Sequence, residues 1–206
     1  MSTSSLWVMG KEFNGEELLE FQNSWLFTPV SWDILLNKYM PTHNGEKRNF
    51  IAATMFDKDL SNELNRKINN SEIQADRVLW ELGNQQIFFT KDKEFIASSI
   101  KSFLEVNKEY ALDLPEHIHE RFNEVANEIL KIDDNESPYL IFKNSSCDDG
   151  IEYWFSKYND ETEDNEDVTL DKFEGFAAEF VTIKDNKIFS FISNVDFFGG
   201  NEESQC

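Results

Sequence analysis

The chain has 206 residues, with 40 Asp and Glu against 19 Lys and Arg, and a formal net charge of −21. Hydrophobic residues make up 40% and aromatics 14%, with 19 Phe. That is enough apolar material for one folded domain, so the acidity does not signal wholesale disorder. A pI near 4.4 argues against direct nucleic-acid binding, which needs Lys and Arg to displace counterions from phosphates, and against an anionic membrane surface.

The first residues, MSTSSLWVMGKEF, have neither a basic n-region nor an apolar h-region, so they do not read as a signal peptide. No apolar run approaches the ~18 residues needed to span a bilayer. The two cysteines, Cys147 and the terminal Cys206, make no disulfide framework. Together these features point to the cytosol.

In chain order, residues 6–9 read as a short apolar strand. Residues 16–29 suit either a helix or a buried strand. Ser31 is a good N-cap for a helix over 31–40, with Trp32, Leu35, Leu36 and Tyr39 at helical spacing and Pro41 just beyond. A strand is expected at 49–56 and a helix at 57–69, with Leu60, Leu64 and Ile68 on one stripe. Residues 77–82 and 86–90 look like two strands joined at Gly83-Asn84 by a type II′ turn. Residues 91–107 predict a helix with one face made by Phe95, Ile96, Ser99, Ile100, Phe103 and Leu104. Residues 115–131 predict another, opened by Pro115 and striped by Ile118, Phe122, Val125 and Ile129. Glu116, Glu120, Glu124 and Glu128 recur every fourth residue of that helix, a mildly self-repulsive row that must be solvated or face a cation.

From Tyr139 the pattern turns to strands, at 139–143, 151–158, 176–184 and 187–193. The last two are joined at Asp185-Asn186, a two-residue hairpin signal that sets Ile183 opposite Ile188 and Phe180 opposite Phe191. Helices mixed with antiparallel hairpins, and a strand-rich C-terminal part, predict an α+β fold. The expected organisation is one domain over 1–198 and a flexible tail at 199–206.

Catalytic signatures are not found. Neither GxGxxG nor GxxxxGK[ST] occurs. His117 and His119 tempt a metal reading, but on a helix neighbours two apart point roughly 200° from each other. His43 stands apart from both. Cys147 sits beside two acids, which raise a thiol pKa, the wrong direction for a nucleophile. The acidic stretches at 133–136 and 160–167 lack the central Gly of a calcium loop. No catalytic, cofactor-binding or metal-binding residue is assigned. An enzyme whose site is assembled from distant residues stays open at this point.

The charge is unevenly spread. Residues 1–132 hold 21 acids and 14 bases, and residues 133–206 hold 19 and 5. The densest point is 159–167, NDETEDNED, with six acids and no base. Such a concentration costs a compact chain self-repulsion. One reading is a solvated acidic loop that keeps the protein soluble. The other is a recognition surface, because acids there interleave with large aromatics. On that reading the partner-binding residues are Asp148, Asp149, Glu152, Trp154, Tyr158, Asp160, Glu161, Glu163, Asp164, Glu166 and Asp167.

A small acidic α+β chain, rich in Phe and Trp, low in Gly and carrying the Trp-rich segment FQNSWLFTPVSWDILL at 21–36, resembles the immunity proteins of bacterial contact-dependent growth-inhibition and polymorphic-toxin systems. The resemblance implies a monomer that binds one basic toxin domain in a 1:1 complex, without cofactor, membrane or direct nucleic-acid contact. Many such toxins are nucleases, and RNases are favoured on family frequency. A DNA-mimic or anti-restriction inhibitor is the alternative. It fits less well, because the acids cluster in one segment and one helix row.

Overall fold

The computed structural model describes residues 3–10, 15–22, 27–43, 46–47, 58–111, 113–145, 156–167 and 180–189. The strand expected at 49–56, most of 151–158, Phe191, Cys147 and the 199–206 tail lie outside them.

β1 (Thr3–Met9) and β2 (Gly15–Gln22) form a hairpin. α1 (Thr28–Tyr39), the short strands β3 (Thr42–His43) and β4 (Glu46–Lys47), α2 (Lys58–Asn69) and α3 (Gln74–Gly83) follow. After β5 (Ile87–Phe89) and a 3₁₀ turn at Thr90–Asp92 come α4 (Lys93–Val106) and α5 (Glu116–Lys131). The remaining described strands are β6 (Tyr139–Ser145), β7 (Ser156–Asn159), β8 (Asp164–Asp167), β9 (Phe180–Lys184) and β10 (Lys187–Phe189). Six strands make the main sheet, in the order β10-β9-β5-β6-β1-β2. Every pairing in it is antiparallel except β5 with β9. The fold is α+β.

Strand alternation sorts the core. Leu6 and Val8 of β1, Leu140 and Phe142 of β6, and Phe88 of β5 join one large cluster with the helices. Met9 and Ile141 form a second, smaller cluster with Trp7, Ile87, Phe89 and Tyr139. Along each of these strands the two sets alternate, so both faces of the sheet carry apolar side chains. On the helical side, Phe27 lies 4.6 Å from both Phe122 and Phe142, and Phe122 stacks on Phe103 at 5.9 Å. These rings link β6, α5 and α4 through one run of contacts, each worth about 0.5–1.5 kcal/mol beyond area burial.

Both long-helix expectations hold. Ile96, Ile100 and Phe103 of α4 are buried, as are Ile118, Phe122, Val125 and Ile129 of α5. Pro115 occupies the N-cap position, one residue before the first helical one. Of the ambiguous stretch 16–29, the part up to Gln22 is a strand, Thr28 and Pro29 open α1, and residues 23–26 lie outside the described residues. The final hairpin has the expected register, Ile188 against Ile183, and both Asp185 and Asn186 adopt positive φ, as a type I′ turn requires.

Two expectations are corrected. Residues 77–82 are not a strand but the body of α3. Ala75, Val78, Leu79 and Leu82 recur at helical spacing, and every residue from Ala75 to Gly83 is buried. No hairpin turn occurs at Gly83-Asn84. The helix instead ends in a Schellman motif with Gln85 in the left-handed conformation (φ 58°), where Gln85 N–H donates to Leu82 O and Gln86 N–H donates to Glu81 O, both at 3.0 Å. Likewise Ser31 does not cap α1, which begins at Thr28. Pro29 occupies the first turn, where its missing N–H costs nothing, and Ser31 Oγ donates to Thr28 O at 2.8 Å.

Candidate interaction surfaces

Among the described residues, exposed carboxylates include three groups on regular elements. The first is the predicted acidic segment, which is a hairpin and not a loop. β7 and β8 pair antiparallel with Tyr158 opposite Asn165, Lys157 opposite Glu166 and Ser156 opposite Asp167. The four-residue connection closes with Glu163 in the left-handed region (φ 53°). Asp160, Glu161, Glu163 and Asp164 are exposed at this turn. Glu166 and Asp167 lie on β8 and Tyr158 on β7. Asp148, Asp149, Glu152 and Trp154 lie outside the described residues.

The second group is the α5 row. Glu116, Glu120 and Glu124 are exposed and Glu128 is half-buried. The row is partly neutralised within its own helix, since Arg121 pairs with Glu124 at 2.7 Å and Lys131 pairs with Glu128. Glu120, Glu124 and Glu128 line a shallow depression with Asn123, Asn127 and Lys131. His117 and His119 are exposed on this helix at positions two apart, so they project from different faces.

The third group went unread in the sequence. β2 ends the sheet, and Glu16, Glu17 and Glu20 are exposed on it. Partial burial, and then repulsion from Glu20, raise the Glu17 carboxyl above its usual range, against the opposing pull of Lys143. The signal was the acid–apolar mixture EELLE, masked by its equal fit to a helix.

The acids at 133–136 serve the fold locally. Asp133 Oδ1 accepts from the Asn135 N–H at 2.9 Å, an Asx turn that leads from α5 into β6 and lowers the Asp133 carboxyl. Lys93 Nζ donates to Ile132 O at 2.6 Å beside Asp134.

Electrostatics inside the protein centre elsewhere. Asp76, in the first turn of α3, is fully buried. Its Oδ2 accepts from Lys38 Nζ and from Tyr39 Oη, and its Oδ1 from Asn107 Nδ2, all at 2.6 Å. Lys38 Nζ also donates to Asn107 Oδ1 at 2.6 Å, and Asn107 Nδ2 to Phe103 O at 3.0 Å. Tyr39 and Ser71 share a 2.6 Å hydroxyl contact. The network ties α1, α3 and the end of α4 together. Its carboxylate accepts three bonds, and none of these five side chains borders the depression on α5. Such saturation suits a clamp better than a reacting centre.

Among the described residues, no three His, Cys, Asp or Glu are grouped to hold a metal ion, and no helix is long and apolar enough to cross a membrane. No known protein family matches the chain, and no curated protein or solved structure is significantly similar to it.

Proposed function

We propose that the chain is an immunity protein that binds one basic toxin domain, a nuclease and in the first instance an RNase, and blocks its cationic cleft. The observation that carries this reading is the exposure of Asp160, Glu161, Glu163 and Asp164 at one turn of a paired hairpin. A nuclease cleft is built to receive phosphates, and carboxylates held on a paired backbone can take those positions with less ordering entropy to lose than a free loop has. The net charge of −21 would steer encounter, to ~10⁸ M⁻¹s⁻¹ or more at low salt. Tyr158, Glu166 and Asp167, with Asp148, Asp149, Glu152 and Trp154 earlier in the same segment, extend the proposed surface. The protein acts in the cytosol as a monomer in a 1:1 complex.

Co-expression with the toxin-like domain encoded next to this chain tests the reading. Growth protection and a salt-sensitive complex are the expected results. Close charge pairs couple by about 1.5–7 kcal/mol, so the triple variant Glu161→Gln, Glu163→Gln, Asp164→Asn should bind at least tenfold more weakly, with a shallower salt dependence. Failure to protect cells rules the reading out. Protection with unaltered affinity in the triple variant moves the interface to the α5 or β2 carboxylates.

A further inference from the structure

Two lysines and one glutamate, Lys101, Lys108 and Glu105, line a cleft where α4 meets α5. Lys101 of α4, Lys108 in the turn that follows it and His119 of α5 line this cleft of about 180 Å³, whose apolar wall is formed by Leu104, Ala111 and Phe122. Leu104 and Phe122 are buried and Ala111 is half-buried, while both lysines and His119 are exposed. Glu105 offsets one of the cations through a 3.4 Å pair with Lys108. Both of those side chains are about three-quarters exposed, and such a pair is weak and readily exchanged for another carboxylate.

Two further features mark the same corner. Val106 and Tyr110, 48% and 40% exposed, are the large hydrophobic side chains left on the surface among the described residues, and they flank Lys108 in the chain. The backbone there is held firmly. Asn107 O accepts from Tyr110 N at 2.8 Å and from Ala111 N at 3.1 Å, while the Asn107 side chain is locked to Asp76. The buried clamp therefore lies directly beneath this corner and fixes its shape before any partner arrives.

The volume is smaller than the ~300–1,000 Å³ usual for a cofactor or substrate pocket, and matches a single side chain. We propose that this cleft is a docking site for an apolar residue of a partner protein that carries or adjoins a carboxylate. The apolar group packs on Leu104, Ala111 and Phe122, and the carboxylate meets Lys101 and Lys108. The inference does not depend on the immunity reading, because it rests on Lys101, Lys108 and the apolar wall and not on the acidic hairpin.

The test uses the full chain, ¹⁵N-labelled, titrated with N-acetyl-leucine and separately with N-acetyl-leucinamide, which has the same shape without the charge. The expected result is saturable binding on the order of millimolar, with amide shifts confined to Leu104, Lys108, Ala111, His119 and their neighbours. The neutral probe should bind about fivefold more weakly. The exposed double variant Lys101→Ala, Lys108→Ala should retain its dispersed spectrum and bind both probes equally. Shifts scattered over the surface, equal affinity for the two probes on the unmodified chain, or no saturable binding would each overturn the assignment.

Discussion

Replacing Asp76 by Ala removes the acceptor for three hydrogen bonds from Lys38, Tyr39 and Asn107. Breaking a buried ion pair from one side costs about 3–5 kcal/mol, because the remaining charge stays uncompensated. The lower end applies here, for four reasons visible in the geometry. The Lys38 side chain keeps 14% exposure, so its ammonium can recover some water. It also retains Asn107 Oδ1, while Asn107 retains Phe103 O and Tyr39 retains Ser71. The expected loss is about 3 kcal/mol, measured as a fall of about 1 M in the urea midpoint with the slope unchanged. The double variant Lys38→Met, Asp76→Leu should recover at least about 1 kcal/mol relative to the sum of its single changes, since it deletes both charges together. A cost for Asp76→Ala within about 0.5 kcal/mol, the range of an ordinary surface substitution, would refute the claim that this carboxylate closes the network.

Two other outcomes follow from the same region. Burial, and then the hydrogen bond to Asp76, raise the Tyr39 phenol above its ordinary range. Between the unfolded value of about 10 and the higher native one, the folded chain keeps a proton that the unfolded chain has lost, so this contribution is present below pH ~10 and declines above it. The stability difference between the unmodified protein and Tyr39→Phe should therefore narrow from pH 9 to pH 11 in paired urea titrations, and a constant difference would contradict the assignment. At the end of α3, a Cβ on Gly83 would clash with the Trp32 indole nitrogen and approach Trp32 Cε2 to 3.0 Å and Thr28 Cγ2 to 3.1 Å. Gly83→Ala should thus cost about 1–3 kcal/mol by overpacking α1 against α3, despite the better helix propensity of Ala. A rise in thermal midpoint would show that Trp32 can move aside.

The helices α4 and α5 were legible because Ile100 and Phe103, or Phe122, Val125 and Ile129, repeat over several turns with little interference. α3 was not, because it is nearly buried all round. Asp76, Arg77 and Glu81 all lie inside, so the polar residues that normally mark a solvated face broke the period, and RVLWEL passed for a strand. The Asp185-Asn186 turn was legible because its backbone requirement is local and specific to residue type. The clamp was invisible for the opposite reason: Lys38 and Asn107 stand 69 positions apart, and nothing in either neighbourhood marks the other. Of the surface acids, the segment around 160–167 was evident from density alone, but its hairpin pairing was hidden by side chains that are poor strand formers.

The one parallel pairing of the sheet joins Phe88 to Val181, and the Ile188 N–H reaches back to Gln74 Oε1 at 2.8 Å. By the time residue 145 has left the ribosome, β2, β1, β6 and β5 and the five described helices are already available to assemble. The β9–β10 ribbon is synthesised later and must find the flank of a preformed body, a long-range closure of the kind that slows folding. During translation, that flank is an open seam beside β5, and the nascent chain is exposed to misassembly there until the β9–β10 ribbon arrives.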